Sequence, residues 1–220
     1  MEGNGQKELA EVITGIRRIK SGQMEYQGKD IRKDSVKERF RAGISYISDD
    51  RHGDSLVMDM TVEDNLILRD FDREPFSRKM VLDYRQAEKR AREALDEYSI
   101  KTSGKSGIKT PVKLMSGGNQ QKVILSREIS GEAGLIVASQ PTRGLDIGAT
   151  RFVHETLLRQ RDAGRCVLLI SADLDEILGV SDRVAVMYEG RIIGILNREE
   201  ADVHKIGLLM GGIAKEAANE

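Results

Sequence analysis

The chain has 220 residues, 39 % of them hydrophobic, which is enough to bury a substantial core in one or two domains. Its 35 lysines and arginines nearly balance 36 aspartates and glutamates, so the net charge gives no support to a nucleic-acid-binding or acidic-lipid-binding class. No apolar run approaches membrane-spanning length, and the single cysteine, Cys166, excludes a disulfide framework within the chain.

The first elements of the chain are predicted to mix helices with strands. Apolar residues one helical turn apart predict a helix over 6–16, and the pattern of 24–31 indicates two short strands around a turn. A short helix is expected over 35–40, followed by an apolar strand over 44–47. This succession is typical of the start of an α/β fold.

The next part of the chain is predicted to be mostly helical. Thr61 opens a Thr-x-x-acid capping pattern for one helix, and Asp83 can cap a second helix over 84–98. The charged stretch 70–78 between them is expected to be irregular. We therefore interpret residues 61–113 as a helical insertion.

After this insertion the alternation of helices and strands returns. The predicted elements are, in order, helix 119–129, strand 135–138, helix 149–163, strand 166–171, helix 174–178 and strands 183–187 and 192–196, joined by a turn at 188–191. Near-continuous apolar strands separated by helices predict a parallel sheet covered on both faces. Cys166 is expected to be a small apolar residue of a buried strand.

The most informative stretch is a Ser-Gly-Gly turn, residues 116–118, that opens directly onto the predicted helix beginning at Asn119. Two consecutive glycines let the backbone approach a ligand closely, and the free N–H groups of a new helix point at whatever lies in front of it. The hydroxyl of Ser116 and the positive end of the helix dipole add to these donors. The turn is therefore predicted to face a phosphate.

This turn and residues 136–146 resemble the signature motif and the Walker B/D-loop region of ATP-binding-cassette (ABC) transporter ATPases. Residues 3–9 are similar to a late piece of a Walker A loop, 46–51 lie at the Q-loop position, and 170–173 lie at the switch-histidine loop. The sequences Asn-Gln-Gln-Lys (119–122) and Pro-Thr-Arg-Gly-Leu-Asp (141–146) are similar to the corresponding motifs in the ATPase subunits of simple-sugar and nucleoside importers. Those subunits carry two cassettes in tandem, and this sequence resembles the second.

The resemblance implies an α/β fold of the P-loop NTPase type, in which a parallel-sheet core carries a helical subdomain. The core is expected over 1–60 and 114–213, the subdomain over 61–113, ending at the signature motif, and a tail over 214–220. Because the strand before Walker A and the first glycine of that motif have no counterpart, the chain is also expected to be an N-terminally truncated fragment of a longer tandem protein, without the first core strands.

The resemblance also implies a set of nucleotide-binding residues. These are Gly3, Asn4, Gly5, Gln6, Lys7 and Glu8 in the Walker A segment, Ser116, Gly117, Gly118 and Asn119 in the signature, and Asp146 in the D-loop. Gln6 stands at the Walker A lysine and Lys7 at the Ser/Thr position, so neither the usual cation nor the usual Mg²⁺-binding hydroxyl is in place. The alternative for Gly-Asn-Gly is an ordinary turn before a surface helix.

Four further positions of the family lack the group that their role requires. Ser139 replaces the Walker B aspartate and is a weak metal position, because Mg²⁺ prefers carboxylates. Gln140 stands at the catalytic glutamate and cannot accept a proton, a loss that typically costs about 10²–10⁴-fold in rate. Ala172 replaces the switch histidine and Asp49 replaces the Q-loop glutamine. The chain's own ATP site is therefore expected to be degenerate.

These features together predict one half of the ATP-binding subunit of an importer for simple sugars or nucleosides. It is expected to donate its signature to ATP held by a second ABC cassette, and to work as a transport ATPase only in the assembled transporter. ATP and Mg²⁺ are the expected cofactors, with both bound weakly in this half's own site.

The partners implied by the resemblance are the second cassette, transmembrane permease subunits and, indirectly, a substrate-binding lipoprotein, at the cytoplasmic face of a bacterial-type membrane; no nucleic acid is expected. Arg51, His52 and Asp54 lie where a family cassette would meet the membrane subunit, or form an ordinary charged loop. Two alternatives remain: a non-hydrolysing nucleotide-binding regulatory module, or a soluble non-transport ABC protein. The near-neutral net charge and the importer-like sequence of residues 141–146 disfavour the soluble non-transport protein.

Overall fold

A computed structural model of the protein describes residues 3–102, 104–131 and 133–212. The predicted tail, 214–220, and the ends of the predicted core at residues 1–2 and 213 lie outside the described residues.

Elements of the first half confirm the predicted mixture of helices and strands. They are helix α1 (Gln6–Thr14), strands β1 (Glu25–Tyr26) and β2 (Lys29–Asp30), helix α2 (Val36–Arg41), strand β3 (Ile44–Ile47), a π-helical turn (Arg51–Ser55), helix α3 (Val62–Ile67), strands β4 (Ser77–Arg78) and β5 (Val81–Leu82), helix α4 (Tyr84–Glu97) and two 3₁₀ segments (Gly104–Lys109 and Val112–Leu114). Helix α1 ends two residues before the predicted end, because Gly15 adopts a left-handed φ of 86° and caps it.

Elements of the second half follow the predicted order. They are helix α5 (Gly117–Glu128), strand β6 (Leu135–Ser139), helix α6 (Ile147–Asp162), strand β7 (Cys166–Ile170), helix α7 (Leu174–Val180), strands β8 (Arg183–Tyr188) and β9 (Arg191–Asn197) and helix α8 (Val203–Met210). Helix α8 was not predicted, and neither was the β4–β5 hairpin, part of which lies in the stretch expected to be irregular.

The predicted capping residues begin their helices. The Thr61 hydroxyl accepts a hydrogen bond from the Asp64 N–H at 3.1 Å, and the Asp64 carboxylate accepts one from the Thr61 N–H at 3.2 Å, which completes a capping box. The Asp83 carboxylate accepts from the Arg85 N–H at 3.0 Å at the start of α4. Local sequence therefore determines where these helices start.

Strands β3, β6 and β7 form a parallel sheet, as predicted, and β6 is the central strand of the three. Ile47 pairs with Ala138, and Ser139 pairs with Ile170, so all three strands end at one edge of the sheet. Residues 136–139 are fully buried, which explains the continuous apolar run that predicted this strand. The three loops that leave this edge carry residues singled out by the sequence.

Among the described residues, β7 pairs only with β6, and its other edge faces the antiparallel β8–β9 hairpin across a cavity of about 580 Å³. Cys166 lines this cavity and is exposed. The expectation of a buried cysteine is therefore wrong. The alternation along the chain predicted a covered strand, whereas Cys166 begins the strand at the edge of the described sheet.

Helix α5 is embedded in the main hydrophobic core, with Val123, Ile124 and Leu125 completely buried. The same core joins apolar residues of the helical segment to residues of the sheet and of α6. Core and helical segment therefore share one hydrophobic cluster, and their division into subdomains remains a prediction. Across the described ranges, none of the helices is both long and apolar enough to cross a bilayer.

Arg39 on α2 ties the N-terminal helix to the loops around it. Its guanidinium is almost completely buried and donates hydrogen bonds to the carbonyl oxygens of Ile13 at 2.9 Å, Ile31 at 2.7 Å and Asp34 at 3.2 Å. Burial lowers the pKa of Arg39 from its ordinary value. This side chain is the common hydrogen-bond donor for two separate backbone segments, the end of α1 and the turn at 31–34.

We expect the Arg39→Met substitution to lower the free energy of unfolding by about 2–4 kcal/mol, because buried carbonyl groups would lose their donors. Thermal and urea unfolding followed by circular dichroism measure this loss. Arg41→Met on the same helix is the matched control, since Arg41 is exposed and its pair with Asp72 contributes about 1 kcal/mol or less. Equal stabilities of the two variants would contradict the role given to Arg39.

Candidate functional site

The loops after β6 and β7 meet at the carboxyl edge of the sheet. The Ala172 N–H donates a hydrogen bond to Oε1 of Gln140 at 3.3 Å, and the Gln140 N–H donates to the Ile170 carbonyl oxygen at 2.7 Å. Ser139, one residue earlier, is buried. The structure therefore brings together three of the predicted site residues, at the positions predicted for the Walker B aspartate, the catalytic glutamate and the switch histidine.

Gln140 occupies a strained backbone conformation, with a left-handed φ of 47°. Such a conformation in a residue other than glycine costs about 1–3 kcal/mol and is concentrated at functional sites. Its carboxamide oxygen is already used by the Ala172 N–H. Gln140 therefore offers no proton acceptor of useful basicity at this edge, because a carboxamide is not basic.

These residues do not fit a magnesium ion. A buried hydroxyl at Ser139 and a neutral carboxamide at Gln140 are poor substitutes for the carboxylate oxygens that Mg²⁺ prefers. Within the part of the chain that the structure describes, no group of three His, Cys, Asp or Glu side chains is arranged to hold a metal.

Asp49 lies at the end of β3 among other acidic groups. The Ser48 hydroxyl is within hydrogen-bond distance of both Asp49, at 3.5 Å, and Asp54, at 3.1 Å. Burial raises the pKa of the Tyr46 phenol, and the charges of Asp49 and Asp54 raise it further. The predicted Q-loop position thus contributes negative charge, which repels a phosphate.

The predicted Walker A segment is fastened to the β8–β9 turn. The carbonyl oxygen of Asn4 accepts from the Gly190 N–H at 3.0 Å, and its side-chain oxygen accepts from the Glu189 N–H at 3.1 Å. Gly5 has a φ of 99°, and a β-carbon there would lie 3.2 Å from the Gly190 Cα, so this close approach favours glycine. Residues 3–8 therefore form a defined turn onto α1.

The side chain at the predicted Walker A lysine position is uncharged, and the charged side chains of this turn are exposed to solvent. Gln6 accepts a hydrogen bond from the Asn4 N–H at 3.0 Å, while Lys7 and Glu8 are exposed on the first turn of α1. Asn4 and Gln6 line the 580 Å³ cavity together with Ala172, so the structure places this segment beside the switch position. Gly3 is exposed at the start of the described chain.

The Ser-Gly-Gly segment opens α5, which begins at Gly117, two residues before the predicted start. Ser116 caps α5, and its hydroxyl oxygen accepts from Nδ2 of Asn119 at 2.9 Å and from the Asn119 N–H at 3.4 Å. The other side-chain atom of Asn119, Oδ1, accepts from the Lys101 N–H at 2.8 Å. Among the described residues, the Ser116 hydroxyl acts only as an acceptor, and no acceptor is paired with its proton.

Asp146 lies beside this turn and caps the next helix. Its carboxylate accepts from the Ala149 N–H at 2.8 Å, and a β-carbon on Gly118 would lie 3.0 Å from the Ala149 Cβ and 3.9 Å from an Asp146 oxygen. The structure thus brings together the predicted signature and D-loop residues. Burial lowers the pKa of Lys122, one turn further along α5, and the charge of Asp146 opposes that change.

A buried carboxylate that the sequence analysis missed anchors the loop 141–146. Glu176 on α7 accepts hydrogen bonds from the Thr142 hydroxyl at 2.9 Å and lies 2.8 Å from Nε2 of His154 on α6. Its second oxygen is buried and has no hydrogen-bond partner. These partners are 22 and 34 positions from Glu176 in the chain, so no local pattern indicates their contact.

Arg51 and His52, treated in the sequence analysis as loop residues, contact the start of α5. Nε of Arg51 donates to Oε1 of Gln121 at 3.0 Å, and Nε2 of His52 lies 3.0 Å from Oε1 of Gln120. Their partners are 68 and 70 positions away. The contacts depend on tertiary packing and have no signature in the sequence.

Comparison with known proteins gives concordant results. A family model described as ABC transporter matches residues 2–143. The chain is 42 % identical over 220 residues to the guanosine import ATP-binding protein NupO of Bacillus subtilis (strain 168), covering 100 % of the chain and 42 % of that protein. It is 41 % identical over 212 residues to the nucleoside import ATP-binding protein NupA of Lactococcus lactis subsp. cremoris (strain MG1363), covering 96 % of the chain and 41 % of that protein.

The chain is also similar to a ribose import ATP-binding protein, RbsA, of Clostridium perfringens (strain 13 / Type A), with 37 % identity over 216 residues, covering 96 % of the chain and 41 % of that protein. It therefore spans less than half the length of these relatives. Among solved structures, a nucleotide-free ATP-binding cassette from an ABC transporter superposes with a TM-score of 0.74 at 24 % identity, covering 90 % of this chain and 79 % of the other. This likeness confirms the fold.

A second solved structure, a dimeric cassette in a post-hydrolysis state with bound ADP and phosphate, has a TM-score of 0.73 at 18 % identity, covering 90 % of this chain and 82 % of the other. It supports the same α/β fold with a parallel-sheet core and helical parts.

We expect Thr142→Val to lower the free energy of unfolding by about 1–3 kcal/mol, because the buried Glu176 carboxylate would lose a hydrogen-bond donor without a change in side-chain shape. Chemical unfolding measures the loss. Thr150→Val on α6 is the control, since its hydroxyl is not bonded to Glu176. If both valine variants unfold at the same denaturant concentration as the parent, the anchoring role of Thr142 is wrong.

Proposed function

Since this chain belongs to the ABC transporter family, we propose that it is an ATP-binding half of an importer for nucleosides or simple sugars, equivalent to the second of two cassettes. The relatives reported above carry nucleoside, guanosine or ribose import in their names, and their similarity spans nearly the whole chain. The observation that carries the proposal is the ordered Ser116–Gly118 turn next to Asp146, set against neutral residues at the sheet edge.

The signature turn acts as a phosphate clamp for a nucleotide held by another cassette. Unpaired N–H groups at the start of α5, the positive end of its dipole and the Ser116 hydroxyl form a set of donors on one surface. Asp146 lies on the same surface and contributes to alignment of the two cassettes. ABC ATPase domains bind ATP with Mg²⁺, and here the partner cassette supplies the complete site.

The chain's own site binds nucleotide weakly and hydrolyses it slowly. Gln6, Gln140 and Ala172 supply no charge to a triphosphate, and the acidic Asp49 opposes one. A glutamine at position 140 accepts no proton from water, so general-base catalysis is lost. Asn4, Gly5 and the other residues of the Walker A segment provide backbone contacts only.

The proposed assembly contains this cassette, a complete second cassette, transmembrane permease subunits and, indirectly, a substrate-binding protein, at the cytoplasmic face of the membrane. Residues 61–113 serve as its helical subdomain, and the described parts of 1–60 and 114–213 serve as the core. A second candidate function, a non-hydrolysing regulatory module, is favoured by the carboxamide at position 140, which accepts no proton from water. The two candidates differ in whether this chain raises the ATPase rate of its partner.

We expect the isolated chain to hydrolyse ATP negligibly, and a complete partner cassette to hydrolyse ATP at least tenfold faster when the chain is added. Ser116→Asp is expected to abolish the stimulation, because aspartate still caps α5 but its charge repels phosphate. A phosphate-release assay measures both rates.

Ser35→Asp is the control for an added carboxylate at a helix N-cap, because Ser35 caps α2 and lies elsewhere in the fold. Its hydroxyl also donates to the Glu38 carboxylate at 2.7 Å, so the melting temperature of this variant is measured as well. This variant is expected to stimulate like the parent chain. Rapid hydrolysis by the chain alone, or full stimulation by the Ser116→Asp variant, would overturn the proposed division of labour. Binding of ATP without any stimulation of the partner would favour the regulatory module.

We expect Gln140→Glu to leave the isolated chain inactive, because a base alone does not replace the missing cation at Gln6 or the missing metal ligand at Ser139. The same assay, with the melting temperature as a test of folding, checks this result. Turnover of several per minute by a folded Gln140→Glu protein would show that the rest of the site is competent.

A further inference from the structure

The turn after β3 has a fixed shape. The Asp50 carboxylate accepts hydrogen bonds from the N–H groups of His52 at 3.2 Å and Gly53 at 2.8 Å, and the chain continues as a π-helical turn over Arg51–Ser55. A β-carbon on Gly53 would lie 2.5 Å from an Asp50 oxygen, so this close packing requires glycine. The turn therefore presents its side chains in one orientation.

Two consecutive side chains of this turn bind two consecutive side chains of α5. Arg51 bonds to Gln121, and His52 bonds to Gln120, each at 3.0 Å. Both glutamines are buried, and Nε2 of Gln120 also donates to the Val112 carbonyl oxygen at 3.0 Å. The turn is thus fastened to the first turns of the helix that begins with the signature.

The guanidinium of Arg51 reaches two further segments. Its Nη2 donates to the Arg143 carbonyl oxygen at 3.1 Å, in the loop that leads to Asp146. Its Nη1 lies 3.2 Å from the point that a β-carbon on Gly117 would occupy, so any larger residue at 117 would crowd it. Burial lowers the pKa of Arg51, consistent with a guanidinium packed between segments rather than extended into solvent.

We propose that Arg51 is a positioning residue that holds the Ser116–Gly118 turn and the loop ahead of Asp146 in one fixed arrangement. The inference rests on the proposed function, in which both segments meet the nucleotide of a partner cassette. A guanidinium is suited to this task because its planar fork binds several acceptors at fixed angles. A lysine ammonium keeps the charge but does not reproduce the separate bonds to Gln121 and Arg143.

The test uses the chain and a complete ABC cassette whose catalytic glutamate is changed to glutamine, so that bound ATP is retained. Sedimentation velocity measures the dissociation constant of the pair with and without MgATP. Arg51→Met is expected to weaken the MgATP-dependent association about tenfold, which corresponds to about 1.4 kcal/mol. Arg51→Lys is expected to weaken it by a similar factor.

The controls separate positioning from folding and from charge. Arg151→Met removes an arginine that is 81 % exposed and pairs with Glu155, and it is expected to bind like the parent. Gln121→Met removes the anchor while leaving Arg51 in place, and is expected to weaken association several-fold. Because Arg51 and Gln121 act through the hydrogen bond that joins them, the Arg51→Met/Gln121→Met protein is expected to bind no worse than the Arg51→Met protein.

The outcomes distinguish this inference from the proposed function. If the parent chain shows no MgATP-dependent association, the proposed function fails and the inference fails with it. If the parent associates and Ser116→Asp does not, but Arg51→Met binds like the parent, only the inference is overturned. Full binding by Arg51→Lys also overturns it, since charge would then suffice. Should Arg51→Met melt below the assay temperature, the Gln121→Met result decides in the same way.

Discussion

The candidate site depends on the parallel, in-register pairing of β3, β6 and β7. Since parallel strands end at the same edge, the chain leaves the sheet three times at neighbouring points, before Asp49, at Gln140 and before Ala172. The hydrogen bond between Gln140 and the Ala172 N–H follows directly from this arrangement. Burial of the central strand stabilises the pairing and so determines where each loop begins.

Helix α5 has an equivalent role for the signature turn. Its far end carries the buried ion pair of Arg127 and Glu128, joined by Arg69, and its middle is completely buried. A tilt of this helix would separate the buried Glu128 carboxylate from Arg69 and leave part of its charge uncompensated, which is strongly unfavourable. The N-terminal turn at Ser116 is therefore held by packing far from the ligand surface, and its polar contacts with Asn119 refine a position already set.

The sequence predicted those features that depend on neighbours in the chain. Helix starts at Thr61 and Asp83 followed from capping residues, and β6 followed from an uninterrupted apolar run. Helix α5 begins two residues before its predicted start, with Ser116 as its cap. The resemblance to ABC ATPases supplied the order of the site segments, and the comparisons confirmed the family and the fold.

Features that depend on distant residues could not be predicted in this way. The contacts of Arg51 with Gln121 and of Glu176 with Thr142 join positions far apart in the chain. The sequence of a charged loop is the same whether the loop packs against a helix or extends into solvent. The exposure of Cys166 depends on which strands neighbour β7, which its own apolar context does not reveal. The roles assigned to the site residues remain predictions, because each role depends on a nucleotide and on a second cassette.

The attachment of Asn4 to the β8–β9 turn has a consequence for how the molecule assembles. Its side chain bonds to an N–H group 185 positions later in the chain, among the longest separations that 220 residues allow. Contacts of such high order form late, because the entropy of closing the intervening loop must first be overcome. During synthesis the turn at Gly5 therefore makes these contacts only after residues 189 and 190 have left the ribosome.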